Sequence, residues 1–174
     1  MLLGNQYFFA ARRNKLKMKK ILNIKQAIKV SKELKNLNKT IVLAGGFFDI
    51  LHVGHIKFLQ NSKKHGDYLF VLLEDDNKAK QTKGPKRPIN SQKERAIILS
   101  SVQSVDYVIL LKDMTNNNQY DKLIDQIAPS ALATTYGDPY IIHKKRQAKL
   151  VQGKVIYVIR KIRKYSTTQL ANFI

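Results

Sequence analysis

Short apolar runs alternate with helical patterns from residue 40 onward, and this alternation restricts the fold more than any other feature of the chain. The runs are uninterrupted, which is typical of strands whose sheet is covered on both faces. We predict five strands, near residues 41–45, 68–73, 105–110, 131–134 and 154–159. Helices are predicted near residues 54–65, 91–102, 119–127, 140–150 and 167–173. This order favours right-handed crossovers, so the sequence predicts a single-domain α/β fold with a doubly wound, parallel five-stranded sheet.

The first residues of the chain do not share this pattern. Residues 1–20 lack a clear apolar period, and we expect a flexible basic N-terminal extension ahead of a domain that spans residues 21–174. Met18 is a candidate for the true start, because regular patterning begins soon after it. An amphipathic helix is then predicted between Ile24 and Leu37.

The formal net charge is +20, and the excess lies at the two ends of the chain. Residues 1–40 contain eleven Lys or Arg residues against one acidic residue, and residues 141–174 contain nine against none. Basic ends favour polyanions, so a nucleic-acid-binding protein is the alternative from another function class. The simpler interpretation is a lysine-rich composition with solvated side chains, and we regard nucleic acid as the less favoured partner.

Composition also restricts the compartment. Cysteine is absent, which excludes disulfides and thiol catalysis and fits a reducing cytoplasm. No apolar run approaches the roughly 18 residues that a membrane-spanning helix needs, so we expect no membrane span and a cytoplasmic protein. At the N-terminus the apolar residues precede the charges, which is the reverse of a secretory signal.

The segment from Gly45 to His55, GGFFDILHVGH, carries the clearest chemical signal. It lies where the first predicted strand passes into a helix. Free backbone N–H groups and the positive end of the helix dipole make that place attractive to anions. His52 and His55 are three positions apart, so each imidazole can donate an N–H to the same phosphoryl group. The motif therefore suggests attack on a nucleotide phosphate.

A basic loop is predicted between residues 80 and 90, after the second strand. Lys80, Lys83 and Arg87 could clamp a triphosphate and neutralise charge as pyrophosphate leaves, although a solvated basic loop has the same composition. Arg95 lies one turn inside the following helix and could point back at the same pocket.

Two further segments are compatible with a nucleotide site. Ser166 begins an S-x-x-Q capping box, and Thr167 and Thr168 place hydroxyl groups in the first turn of the last helix, where a phosphate can also bind. Gly137 and Asp138 form a turn after the fourth predicted strand, which by itself is a weak signal.

The remaining histidines and a metal site are less favoured. His65 precedes a helix-ending glycine and His143 lies in a basic helix, so we expect both on the surface. Zinc on His52 and His55 would need a third ligand, and Asp49 is the only acid nearby. We therefore predict no metal held by the protein alone, and expect Mg²⁺ to be carried by the nucleotide phosphates.

Three motifs together resemble those of the cytidylyltransferase-like nucleotidyltransferases: G-x-F-D-x-x-H-x-G-H, K-G-x-x-R-P-I-N and the later S-T-T. The resemblance runs from about Ile21 to Ile174, with the motifs in the expected order. It implies a Rossmann-like fold and transfer of AMP or CMP from ATP or CTP to a phosphorylated small molecule, with release of pyrophosphate. No general base is then needed, because the attacking phosphate is already anionic. A homodimer is implied by analogy alone.

The same resemblance implies roles for individual residues. The implied catalytic residues are His52, His55 and Lys83. The residues implied to bind the nucleotide are Gly46, Phe47, Phe48, Asp49, Gly54, Lys80, Arg87, Arg95, Gly137, Asp138, Ser166, Thr167 and Thr168.

Within the family, the similarities divide among three groups. The loop from Lys83 to Ile89 looks like that of the heptose 1-phosphate adenylyltransferases, which we take as the best guess. The segment from Gly54 to Leu59 is similar to glycerol-3-phosphate cytidylyltransferases, and that from Lys164 to Thr167 is similar to archaeal-type FAD synthetases. The heptose enzymes usually carry a lysine after the fourth strand, and residues 133–140 here have none. The acceptor and the choice between ATP and CTP therefore stay open.

Overall fold

The apolar runs of the sequence form one sheet in the computed structural model, which describes residues 19–160. The strands of this range are β1 Ile21–Asn23, β2 Ile41–Gly46, β3 Tyr68–Leu73, β4 Tyr107–Leu110, β5 Ala131–Tyr136 and β6 Lys154–Arg160. The helices are α1 Ile24–Asn36, α2 Val53–Lys63, α3 Asp76–Lys83, α4 Gln92–Ser100, α5 Asn117–Ile127 and α6 Ile141–Leu150. The last predicted helix and most of the predicted N-terminal extension lie outside the described residues.

The sheet is parallel throughout and runs in the order β1-β4-β3-β2-β5-β6. From β2 the chain adds β3 and β4 on one side, and it later adds β5 and β6 on the other side. The strand order therefore reverses between β2 and β5. In sheets of this kind ligands bind beyond the carboxyl ends of the strands at the point of reversal.

Helices cover both faces of the sheet, as the doubly wound prediction requires. On one face, α1 and α5 pack against the strands through apolar side chains: Ala27, Val30, Leu34, Leu123, Ile124 and Ile127. On the other face, α2 and α4 contribute a second set: Phe58, Leu59, Ala96 and Leu99. The strands supply buried residues to both sets, which explains why their sequences are uninterrupted apolar runs.

Capping boxes set the first residue of three helices. At the start of α1, the Asn23 side chain accepts from the Gln26 N–H, and the Gln26 side chain accepts from the Asn23 N–H. The same reciprocal pattern opens α4 at Ser91 and α5 at Asn116. Each box satisfies backbone N–H groups that have no partner inside the helix.

Two elements differ from the prediction. The sheet has six strands rather than five, because residues 21–23 pair with β4 along the edge of the sheet. A three-residue strand carries too little periodicity to be read from sequence. The second element is the helix α3, Asp76–Lys83, which was not predicted. Its last residues, from Lys80 onward, lie in the predicted basic loop. None of the described helices has the length and apolar character needed to cross a membrane.

Substitution of Phe70 tests the packing of side chains against the sheet. Its side chain is fully buried in β3 and lies edge-on to Tyr107, with ring centroids 5.1 Å apart. Phe70→Ala should lower the free energy of unfolding by about 3–5 kcal/mol, because the neighbouring side chains only partly fill the cavity. Urea denaturation measures the loss. Leu37→Ala, at a residue that is 66% exposed, is the control and should change stability by less than about 0.5 kcal/mol.

Candidate active site

The turn between β2 and α2 is shaped by close contacts around Phe48. The Phe48 backbone has a φ of 48°, in the left-handed region that residues other than glycine rarely adopt. A Cβ on Gly46 would lie 3.0 Å from the Phe48 ring, so glycine at this position lets the ring fold back over the end of the strand. The Phe48 ring is buried and lies 5.3 Å from the His55 ring, centroid to centroid. The conformation of this turn thus supports the second histidine of the motif.

His52 caps the start of α2. Its Nδ1 accepts a hydrogen bond from the Gly54 N–H at 3.1 Å, which leaves Nε2 as the proton-bearing nitrogen of the neutral ring. A Cβ on Gly54 would lie 2.9 Å from His52 Cε1. Glycine at position 54 is therefore needed for this cap, and the cap determines which His52 nitrogen can donate to a ligand.

His55 lies in the first turn of α2 and stacks on His52. The ring centroids are 3.9 Å apart and the ring planes differ by 23°. Burial, together with the nearby His52, lowers the pKa of His55 to about 4, while a hydrogen bond to the Ile50 backbone opposes the shift. Burial also lowers the pKa of His52. Burial thus favours the neutral form of both rings near pH 7.

Asp49 fastens the histidine motif to the segment that precedes α4. Its Oδ1 accepts from the backbone N–H groups of Ile89 and Asn90, at 2.8 and 3.1 Å. The Asn90 side chain donates to the Asp49 carbonyl at 2.9 Å, and Arg87 forms an ion pair with the Asp49 carboxylate. The structure therefore brings Asp49 and Arg87 together as partners of each other, both largely buried. As arranged, their charges neutralise each other, and neither is a free ligand for a phosphate.

Arg95 lies beneath the site and is 1% exposed, so it does not reach into an open pocket as expected from its position in the helix. Its guanidinium donates to the carbonyls of Phe47, Glu74 and Asn90, the last two at 2.9 and 3.0 Å. It also pairs with Asp76 at 2.7 Å. Arg95 therefore holds the backbone of three segments and is a positioning residue.

Lys80 and Lys83 occupy the last turn of α3, with exposed side chains. Lys83 Nζ lies 5.7 Å from the centroid of the Phe47 ring, which places its charge beside the histidine motif. The expected flexible loop is thus partly helical, and its cations begin on a regular element. The signal for this helix was Asp75, whose side chain caps α3 by accepting from the Lys78 N–H at 2.7 Å.

Gly137 and Asp138 follow β5, on the other side of the point of strand reversal. Gly137 has a φ of 76°, which suits glycine in this turn. The Asp138 carboxylate accepts from Thr134 and from the Tyr140 N–H, and pairs with Lys144 at 2.7 Å. Burial raises the pKa of Asp138, but these three partners outweigh it and hold the pKa below its usual value. Lys144 was not identified from the sequence, because no local pattern shows that a lysine of α6 reaches the end of β5.

The other candidates are placed as follows. Ser166, Thr167 and Thr168 lie outside the described residues. His65 is exposed, as expected, whereas His143 is only half exposed and its Nδ1 is buried, because α6 packs that side of the ring against the domain. No group of three or more His, Asp or Glu side chains within residues 19–160 could hold a metal ion.

Comparison of the sequence with known families shows which family the chain belongs to. The sequence pattern of the family described as cytidylyltransferase-like matches residues 43–171, which include both histidines and the segment after β3. The chain belongs to the cytidylyltransferase-like family. This confirms the resemblance seen in the three motifs and the Rossmann-like parallel sheet.

Individual relatives agree with the family. The bifunctional protein HldE of Aliarcobacter butzleri is 48% identical over 87 residues, which cover 50% of this chain and 18% of that protein. A solved structure, the lipopolysaccharide core biosynthesis protein of Thermoplasma volcanium, is 30% identical with a TM-score of 0.56 and covers 74% of this chain and 99% of its own. The chain spans less than a third of the length of the curated relatives it matches.

A more distant structure shares the fold alone. Pantoate-beta-alanine ligase from Francisella tularensis is 17% identical, with a TM-score of 0.63 over 88% of this chain and 76% of that protein. The doubly wound sheet of cytidylyltransferase-like proteins is therefore retained at low sequence identity, and function must be argued from the site.

The protonation of His55 is the first property of the site to test. In a histidine-observed NMR titration of the free protein, His55 should stay neutral until the pH approaches about 4, and the His55→Gln spectrum assigns the signal. The unfolded chain binds more protons between pH 6.5 and about 4, so His55 makes the protein less stable as the pH falls through this window. Titration of His55 near pH 6.5 would contradict the buried, stacked geometry.

Gly54→Ala tests the cap on His52. The added Cβ would force the His52 ring away, so the hydrogen bond to the Gly54 N–H should be lost and the stack with His55 should open. We expect the pKa of His55 to rise toward 6.5 in the same titration, because its ring becomes less buried. Gly45→Ala is the matched control, since its Cβ would lie at an ordinary 3.7 Å from Leu72. An unchanged His55 titration in Gly54→Ala would show that the pKa of His55 does not depend on the His52 cap.

Proposed function

We propose that this chain transfers a nucleotidyl group from a nucleoside triphosphate to a phosphorylated small molecule and releases pyrophosphate. The observation that carries the proposal is the pair of stacked imidazoles at the start of α2, 3.9 Å apart and both neutral. Neutral imidazoles at a helix N-terminus can donate two N–H groups to a phosphate whose charge grows as the reaction proceeds.

In this mechanism the acceptor phosphate attacks the α-phosphorus in line, the new P–O bond forms, and the bond to pyrophosphate breaks. His52 and His55 donate N–H groups to the oxygens of the α-phosphate as charge accumulates there. Lys83, beside Phe47, and Lys80 offset the charge of the departing pyrophosphate. Most of the acceleration then comes from positioning and charge stabilisation, as is general for such transfers.

Magnesium would enter with the nucleotide. Lys83 lies beside the histidine motif, and Asp49, the carboxylate within the motif, is already occupied by Arg87 and two backbone N–H groups. Because the carboxylate of the motif is occupied, a Mg²⁺ ion would be held through the phosphates of the nucleotide. When bound, the ion would supply further neutralisation of the phosphates.

For the substrates we propose ATP and a heptose 1-phosphate. The support comes from the Lys-Gly-x-x-Arg-Pro-Ile loop and from similarity to HldE proteins and to a protein named for lipopolysaccharide core biosynthesis. Glycerol 3-phosphate with CTP and FMN with ATP are the alternatives that the sequence leaves open. Pyrophosphate release from each pair, measured with Mg²⁺ and the full chain, decides among them.

His55→Ala should lower the rate of pyrophosphate release about a hundredfold or more, because it removes a donor to the transition state. His55→Gln retains an N–H donor and should keep more activity than alanine. His65→Ala removes an exposed histidine at the far end of α2 and is the control. If the wild type and His55→Ala release pyrophosphate at equal rates, His55 does not have the assigned role. If the wild type releases no pyrophosphate with any substrate pair, the proposed function is wrong.

A further inference from the structure

Glu74 is a carboxylate next to the phosphate-binding turn that the proposed mechanism does not use. It follows the last residue of β3, and its N–H donates to the Gly46 carbonyl at 3.2 Å. The buried Arg95 donates to the carbonyls of both Glu74 and Phe47. Glu74 is therefore fixed beside the histidine motif, on the side of β2 that faces away from β5.

The Glu74 side chain is paired with one hydroxyl group. Tyr120 of α5 donates from its Oη, which lies 3.0 Å from each carboxylate oxygen. Both side chains are half-buried, and burial raises the pKa of Glu74 more than its hydrogen bond to Tyr120 lowers it. A single O–H donor fills little of the acceptor capacity of a carboxylate, which has about four lone-pair sites. Within the described residues, Glu74 thus keeps free acceptor positions at the carboxyl end of the sheet.

The charges around Glu74 restrict the kind of ligand group that its carboxylate could bind. A carboxylate repels the phosphates of a nucleotide, so Glu74 is unsuited to the triphosphate itself. Lys78 and Arg95 place positive charge near the Glu74 carboxylate, which reduces the gain from an additional ammonium group, and Asp75 offsets part of that charge. Hydroxyl groups are neutral donors and match both the free lone pairs of Glu74 and the oxygen of Tyr120.

The position in the sheet separates this pair from Gly137 and Asp138, which the family resemblance assigns to the nucleotide. Gly137 and Asp138 follow β5, whereas Glu74 follows β3, and β2 with its histidine motif lies between them. An acceptor that approaches from the β3 side would meet Glu74 and Tyr120.

We propose that Glu74 and Tyr120 form the acceptor subsite and select a polyhydroxylated phosphate, with the Glu74 carboxylate accepting hydrogen bonds from the acceptor hydroxyl groups. This inference rests on the proposed nucleotidyl transfer and assigns a substrate class to one side of the same site. Glu74 then determines acceptor specificity and does not contribute to nucleotide binding.

The test uses Glu74→Gln and Tyr120→Phe in the full chain, with ATP, Mg²⁺ and heptose 1-phosphate. We expect Glu74→Gln to raise KM for the acceptor about tenfold, because the amide oxygen accepts a weaker, uncharged hydrogen bond, with KM for ATP unchanged. Tyr120→Phe should have a smaller effect in the same direction. Glu33→Gln on the exposed face of α1 and Tyr68→Phe at the amino end of β3 are the matched controls and should leave both KM values unchanged.

Monodeoxy analogues of the acceptor separate recognition from a structural effect. Removal of the contacted hydroxyl should lower kcat/KM about tenfold in the wild type and less in Glu74→Gln, since the substitution has already weakened the hydrogen bond that the analogue lacks. Equal losses in both proteins would overturn the proposal. A higher kcat/KM with phosphoethanolamine than with the sugar phosphate would overturn it as well.

Two outcomes separate failure of the subsite assignment from failure of the proposed nucleotidyl transfer. If the wild type releases pyrophosphate with an acceptor and Glu74→Gln keeps the same acceptor KM, the subsite assignment fails and nucleotidyl transfer stands. If the wild type transfers nucleotide to no acceptor, the proposed function fails, and the subsite assignment fails with it.

Discussion

The buried guanidinium of Arg95 connects the segments from which the candidate site is built. It binds the carbonyls of Phe47 before the histidines, Glu74 after β3 and Asn90 before α4, and it pairs with Asp76. A buried charge with this many partners is costly to disrupt, because removing any partner leaves a charged or polar group without compensation. The relative positions of the histidine motif, the end of β3 and the start of α4 therefore depend on one buried side chain.

The charged groups of the site are divided between those already paired and those that stay free. Asp49 with Arg87 and Asp138 with Lys144 satisfy each other and stiffen the loops that carry them. The histidines are neutral, and Lys80 and Lys83 remain exposed. A phosphate can thus bind without first breaking an ion pair, and its charge raises the pKa values that burial has lowered. Such prearranged donors need little reorganisation during the reaction, which is the source of electrostatic catalysis.

Local patterns in the sequence predicted most of the fold and part of the site. The order of strands and helices and the place of His52 and His55 at a strand-to-helix crossing could be predicted, because both depend on periodicity and short motifs. The partners of Asp49 and Arg95 could not, since each binds groups far away in sequence. The family resemblance implies that both bind the nucleotide, and in the structure their charges are paired with protein groups.

The residues that contact an acceptor are harder to predict than those that contact a nucleotide, for a physical reason. Triphosphates share one geometry, so their donors recur as compact motifs at the end of β2 and in the α3 segment. Acceptors differ in their hydroxyl pattern, and the groups that bind them come from separate elements. Here Glu74 leaves β3 and Tyr120 lies in α5, 46 residues apart, and they meet only because α5 packs over that face of the sheet. In the proposed subsite, acceptor specificity therefore depends on tertiary packing.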